Sequence, residues 1–196
     1  MILPIIAYGD PVLRKQTKEI SKDYPELDKV LENMFDTMYG ARGVGLAAPQ
    51  VNLPIRLFIV DASPFGDDKD LSVEEREFAS TFKRVFINAR ILEENGDEWA
   101  FNEGCLSIPD VREDVFRKPE IVIEYEDENF KKHKETFSGT VARIIQHEYD
   151  HIEGILFTDK LSPLKKRLIK SKLTNISKGK VNIDYSMRFP NVKKKR

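Results

Sequence analysis

Ser138-Gly139-Thr140-Val141-Ala142-Arg143-Ile144-Ile145-Gln146-His147-Glu148-Tyr149-Asp150-His151-Ile152-Glu153-Gly154 is the stretch on which the fold turns. Ser138 offers a helix N-cap, Val141, Ile144, Ile145 and Ile152 recur at helical spacing, and Gly154 stands where a helix ends in a left-handed residue. As a helix, the segment stacks His147 and His151 on one face, about 6 Å apart at Cβ, so that both can grip one divalent ion. Glu148 follows the first imidazole directly and projects beside that ion, where it can take a proton from a water and give it back. Ile144, three positions earlier, packs beside the site. The third histidine, His133, lies among Lys131, Lys132 and Lys134 and reads as a solvated surface residue.

A catalytic tetrahedral site takes three protein ligands and keeps one position open. The single cysteine, Cys105, in Glu103-Gly104-Cys105-Leu106-Ser107-Ile108-Pro109, is the natural third donor beside the two histidines. With one cysteine the chain can form no internal disulfide, which suits a reducing cytosol. A further segment, Gly43-Val44-Gly45-Leu46-Ala47-Ala48-Pro49-Gln50, combines small residues that let backbone approach a ligand with an amide able to donate to an oxygen. By itself it reads first as a helix C-cap and turn.

Taken together, GVGLAAPQ (43–50), EGCLS (103–107) and QHEYDHIEG (146–154), in this order and at these separations, resemble the three signature motifs of peptide deformylases. The likeness extends to Gly9-Asp10-Pro11-Val12-Leu13-Arg14 near the start and to Gly154-Ile155-Leu156-Phe157 with Leu161-Ser162-Pro163, so it covers most of residues 1–175. The resemblance implies hydrolysis of the formyl group from nascent peptides that begin with formylmethionine, releasing formate. It implies Cys105, His147 and His151 as metal ligands and Glu148 as the proton carrier. The Gln50 amide and the Leu106 N–H become donors to the developing oxyanion. A peptide is expected to pair with Gly45 as an added strand, with Val44, Ile144 and the stem of Arg143 around its methionine. Family likeness implies Fe2+ as the working ion, whereas the Irving–Williams trend lets Zn2+ occupy the same donors.

Other metal chemistries remain open at this level. A zinc endopeptidase shares HExxH but draws its third ligand from a downstream His or Glu. A structural site closes all four positions, for which a fourth ligand is not evident, and a module that only bound formylated peptides would not need Glu148.

The 196 residues suit one domain with a sizeable core, and no apolar run approaches the roughly 20 residues of a membrane span. The N-terminus lacks the basic and long apolar regions of a secretory signal, so cytoplasmic residence is expected. Neither internal repeats nor a Gly/Ser linker marks a second domain. From Leu27, apolar residues at Val30, Leu31, Met34, Phe35, Met38 and Tyr39 predict an amphipathic helix ending near Gly40 or Gly43. Strands are expected over 55–61, 84–92, 98–102, 111–117 and 120–127, with Cys105 just past the third. Ser162-Pro163 opens a last helix, with Leu164, Leu168 and Leu173 on its apolar side, running to about Gly179. Strands in mid-chain between helices, without βαβ alternation, argue an α+β fold: antiparallel sheets around a central metal-binding helix, with an N-terminal and a C-terminal helix.

Charge is segregated along the chain. Between Gly66 and Glu77 there are six acids against Lys69 and Arg76, read as an exposed loop or short helix. From Lys160 to Arg196 there are 13 Lys or Arg and one acid, Asp184, so this part carries +12 and the remainder −13 within a net of −1. A catalytic domain over 1–179 with a basic tail over 180–196 is expected, the tail serving contact with ribosomal RNA; contact with DNA or membrane is not expected.

Overall fold

The computed structural model describes residues 1–191. The chain opens with a two-residue strand β1 (Ile5–Ile6), then helix α1 (Leu27–Gly40), strand β2 (Gly45–Ala47) and strand β3 (Leu57–Asp61). A short helix α2 (Val73–Ser80) precedes strands β4 (Lys83–Asn95), β5 (Trp99–Cys105), β6 (Ile108–Arg117), β7 (Glu120–Glu126) and β8 (Lys132–Ser138). Helix α3 (Gly139–Ile152), helix α4 (Pro163–Ser177) and a short strand β9 (Met187–Arg188) complete it.

The main sheet runs β2-β3-β4-β7-β8, and β5 pairs with β6 as a separate hairpin; every one of these pairs is antiparallel. The exception is β1, which pairs in parallel with β9. The expected α+β architecture is therefore the one found. Strand β3 explains how the sheet holds two helices. Its five residues are all buried, and their alternation sends Leu57 and Ile59 toward Met34 and Met38 of α1, while Phe58 and Val60 face Val141, Ala142 and Ile145 of α3. Strand β3 is thus the layer between the two helices, and α3 is held against it along a buried apolar face, the condition that makes a donor set on it rigid.

Its boundaries follow the sequence. Ser138 stands at the N-cap in extended conformation, although its side chain makes no capping hydrogen bond, and Gly154 follows the C-cap at φ +75. At Gly154 a Cβ would lie 2.7 Å from the Arg14 carbonyl oxygen, so only glycine lets the helix end against the first loop. Helix α4 begins at Pro163 behind Ser162, whose hydroxyl accepts from Lys165 N–H. Its buried face is Ile169, Leu173 and Ile176, whereas Leu164 and Leu168 are 65% and 70% exposed, which corrects the apolar side drawn through those two leucines.

Other expectations need adjustment. Gly43–Gln50 is more than a helix exit: Gly45–Ala47 is an edge strand on β3, and a 3-10 turn over Ala48–Val51 follows. Cys105 ends β5 rather than following it. The Lys-rich segment around His133 is strand β8, its alternation masked because the inward positions His133 and Glu135 are also polar. The His133 ring stacks on Tyr125 and its Nε2 lies 2.8 Å from Asp127. The acidic segment forms a 3-10 turn over Ser63–Asp67 and then α2, opened by reciprocal hydrogen bonds between Ser72 and Glu75. The chain does not leave the body at residue 180. Val181, Met187 and Phe189 pack against Ile6, Leu13 and Ile169, so a tail over 180–196 is corrected to packed chain up to Asn191. Lys193-Lys194-Lys195-Arg196 lie outside the described residues. No helix among the described residues is long and apolar enough to cross a membrane.

Candidate metal centre

The β5–β6 hairpin carries Cys105 to the face of α3 that presents both histidines. One donor atom each from Cys105, His147 and His151 lies within 4.8 Å of the others, and Cys105 Sγ is 3.2 Å from His151 Nε2. No fourth Cys, His, Asp or Glu joins this group among the described residues. His147 Nδ1 donates to Glu103 Oε2 at 2.9 Å, which fixes the ring and turns Nε2 toward the other two donors. His151 Nδ1 is buried without a hydrogen-bond partner. One thiol sulfur and two imidazoles with an open fourth side suit a borderline-soft divalent ion.

The two imidazoles are shifted in opposite directions. Burial works against charge on either imidazole, but hydrogen bonds with Cys105 and Glu103 win at His147 and raise its pKa well above the ordinary range. Burial and the neighbouring His147 hold His151 well below it. Glu103 is itself buried, which opposes ionisation, yet His147 and Arg117 hold its carboxyl well below the usual carboxylate range. The raised His147 pKa favours a proton on that ring, with which a metal ion would compete for the same nitrogen.

Glu148 is fully enclosed next to this group. Its Oε2 has no hydrogen-bond partner, and burial pushes its carboxyl up to about 7. Gly45 makes this possible: a Cβ there would stand 2.5 Å from Glu148 Oε1 and 2.8 Å from its Cγ. On the other side Gln50, also buried, accepts from Ala47 N–H through Oε1 at 2.8 Å. That bond aims its Nε2 at Ser107 Oγ, 3.2 Å away, and at Cys105 Sγ, 3.6 Å away. Leu106 sits at the hairpin turn directly after the thiol. These groups open into a cavity of about 780 Å³, floored by α3 and bounded by Val44 and Gly45 on one side and β5–β6 on the other.

The polypeptide deformylase family model matches residues 2–167. The chain belongs to the peptide deformylase family. Peptide deformylases of Christiangramia forsetii and Flavobacterium johnsoniae are 68% and 61% identical to it over 196 residues, all of each chain. A solved peptide deformylase from Legionella pneumophila has a TM-score of 0.77 at 36% identity, covering 92% of this chain and 98% of that one. The Thermotoga maritima peptide deformylase gives 0.71 at 35%, covering 83% and 99%.

In this peptide deformylase the residues singled out from sequence converge: Gln50, Cys105, Leu106, Val44, Gly45, Ile144, Arg143, His147 and Glu148 all border the cavity, with His151 behind them. Arg143 differs in what its charged end does. Its guanidinium is turned inward, donating to Glu103 Oε1 at 3.0 Å and to the Val115 and Trp99 carbonyls, and it lies 4.7 Å from the Trp99 ring. The sequence reading missed the partners that hold the ligands. Glu103 accepts from Arg117 Nε at 2.7 Å as well as from Arg143 and His147, and Arg117 donates on to Asp150 Oδ2 at 2.6 Å. Glu103, two residues before the cysteine, was legible as a buried-charge candidate only from its place in the motif; Arg117 carried no such signal.

Proposed function

We infer that this site hydrolyses the N-formyl group of peptides beginning with formylmethionine, releasing formate, with one divalent ion held by Cys105, His147 and His151. Glu148 carries the reading: a buried carboxyl with an unpartnered oxygen, beside a three-donor group with an open side. Bound there, the ion would act as a Lewis acid and make a water acidic enough to attack near neutral pH. The peptide lies against the free edge of β2, where Gly45 offers backbone groups, since β2 is the outer strand of its sheet. Its methionine side chain enters beside Val44, Ile144 and the aliphatic stem of Arg143.

Glu148 takes a proton from the attacking water and passes it to the departing amine, serving first as general base and then as general acid. Gln50 Nε2 and the Leu106 N–H donate to the formyl oxygen as it gains charge. Gln50 is oriented in advance by Ala47, so the donor needs no reorganisation when charge appears. The open fourth side speaks against a closed structural site, and Glu148 speaks against a module that only binds.

Fe2+ is the working ion on this reading, and Zn2+ takes the same donors. The enzyme works in the cytoplasm at the ribosome, where formylated chains emerge. Helix α4 supports that docking: Lys166, Arg167, Lys170 and Lys172 are exposed around the exposed Leu164 and Leu168. Incubation with formyl-Met-Ala-Ser, with and without a chelator, tests the core of the reading. Formate is expected without the chelator and lost with it; equal formate in both arms defeats the metal role, and cleavage of an unformylated peptide defeats the substrate.

A further inference from the structure

Residues 181–189 run Val-Asn-Ile-Asp-Tyr-Ser-Met-Arg-Phe, apolar or aromatic at every second position. The fold uses this alternation. Val181, Met187 and Phe189 pack onto the body, while Asn182, Asp184, Ser186 and Arg188 are exposed. Several bonds hold the far end down. Ile5 N–H donates to the Ser186 carbonyl at 2.9 Å, Ala7 N–H to the Arg188 carbonyl at 2.9 Å, and the Arg188 guanidinium to Asn52 Oδ1 at 2.8 Å.

Upstream of these anchors, Asn182, Ile183, Asp184 and Tyr185 border the same cavity as the donor group. The Tyr185 hydroxyl donates to the Leu106 carbonyl at 2.8 Å, which ties the segment to the turn after Cys105. Burial raises the Tyr185 pKa, so the hydroxyl keeps the proton it donates. Arg42, which leads into the β2 side of the cavity, pairs with Asp184, and both are largely exposed. That ion pair therefore stands at the mouth. A cavity of about 780 Å³ is sized for a whole multi-residue ligand, not for a formyl group and one side chain. An extended peptide laid on β2 advances roughly 3.3 Å per residue, so its second and third residues lie in the outer part of the cavity.

We propose that Ile183, Asp184 and Tyr185 form the wall that receives the peptide residues after the formylated methionine, with Tyr185 also acting as a positioning residue for the Leu106 turn. The wall supplies contact to residues that do not react, and such contact is what separates a long substrate from a short one. The proposal rests on the peptide pairing with Gly45 along β2.

Formate release by the metal-loaded full chain from formyl-Met-Ala-Ser and from formyl-Met amide tests it. The wild-type chain is expected to favour the tripeptide in kcat/KM. In the double variant Ile183→Ala, Asp184→Ala that preference should fall about five-fold or more, mainly through KM for the tripeptide. Tyr185→Phe, which deletes one hydroxyl, should lower kcat about five-fold on both substrates with KM held, while the thermal midpoint moves only by the few degrees that one lost hydrogen bond costs. A wild-type enzyme indifferent to length, a double variant with unchanged preference, or a Tyr185→Phe variant with unchanged kcat overturns the proposal. Full activity of Glu148→Ala on the same peptides overturns the underlying site reading instead.

Discussion

The floor and the outer wall of the cavity are built on opposite principles. The floor is α3, whose Arg143, Ile144, Glu148 and His151 are buried and whose His147 is locked through Glu103 to Arg117, and through Arg117 to Asp150 on α3 itself. The wall is the half-exposed segment 182–185, joined to the β2 side by the exposed pair Arg42–Asp184. A buried ionic network is costly to desolvate but costly to break, because losing one member strands a charge. An exposed pair is screened and contributes little to stability. On the proposed reading the difference teaches where geometry has to be held: donors and proton carrier would have to stay within about 0.5 Å of their working positions, whereas a wall that met varied peptide sequences would gain from adaptable contacts.

Breaking the floor should therefore have the largest effects. Glu148→Ala is expected to keep metal content near that of the wild type while kcat falls by about 10² to 10⁴, measured by formate release beside metal analysis. Activity retained with metal bound would remove Glu148 from the mechanism. Gln50→Leu should lower kcat by about 10² to 10³ with little change in KM, since the amide serves charge that exists only in the transition state. A change confined to KM would make Gln50 a ground-state contact. Next comes Glu103→Gln, which keeps the shape but removes the charge that His147, Arg117 and Arg143 share. Metal affinity should drop roughly 10- to 100-fold in a competition titration with a chelator. An unchanged affinity would show that His147 is held by packing against Phe157, whose ring centroid is 6.1 Å away, and not by Glu103.

Most of the floor was legible along the chain and little of its support was. Helices α1 and α4 announce themselves because each buries one apolar stripe, and α3 and α4 are also bounded by cap or stop residues, Ser138 and Gly154 or Ser162 and Pro163. His147 and His151 are close in sequence because a helix makes i and i+4 neighbours. Arg117 and Asp150 are 33 positions apart and meet only because β6 crosses below α3, so spacing has nothing to say about them. Strand β8 carries no clean alternation because two of its three inward positions, His133 and Glu135, are polar and only Phe137 is apolar. The wall was hidden for a different reason. Its period of two is plain in Val181, Ile183, Tyr185, Met187 and Phe189, but the surrounding excess of lysine drew attention to charge, and a basic stretch reads as solvated tail.

The end of α3 lies between the two regimes and gives the smallest effect. Glu153 at the C-cap pairs with Arg56, which also donates to Tyr149 OH at 3.2 Å and to the Ala89 carbonyl at 2.8 Å. Burial would raise the Glu153 pKa, but the Arg56 hydrogen bond and charge outweigh it, so the net shift is downward. A carboxyl with a lower pKa folded than unfolded contributes stability that is fully present above the unfolded value of about 4.3 and is lost as pH falls through the folded value. Because Glu153 keeps partial contact with solvent, screening limits the contribution to about 1 kcal/mol or less. With chelator present throughout, so that release of an ion in acid does not enter, denaturant unfolding should show the wild type more stable than Glu153→Gln at pH 7. The gap should narrow progressively as the pH falls below about 4.3. A gap that does not change with pH in the acid range would mean that Glu153 acts through its packing against α3 and not through its charge. The contrast between a locked buried network and screened exposed pairs would then stop at Glu103 instead of grading along the helix.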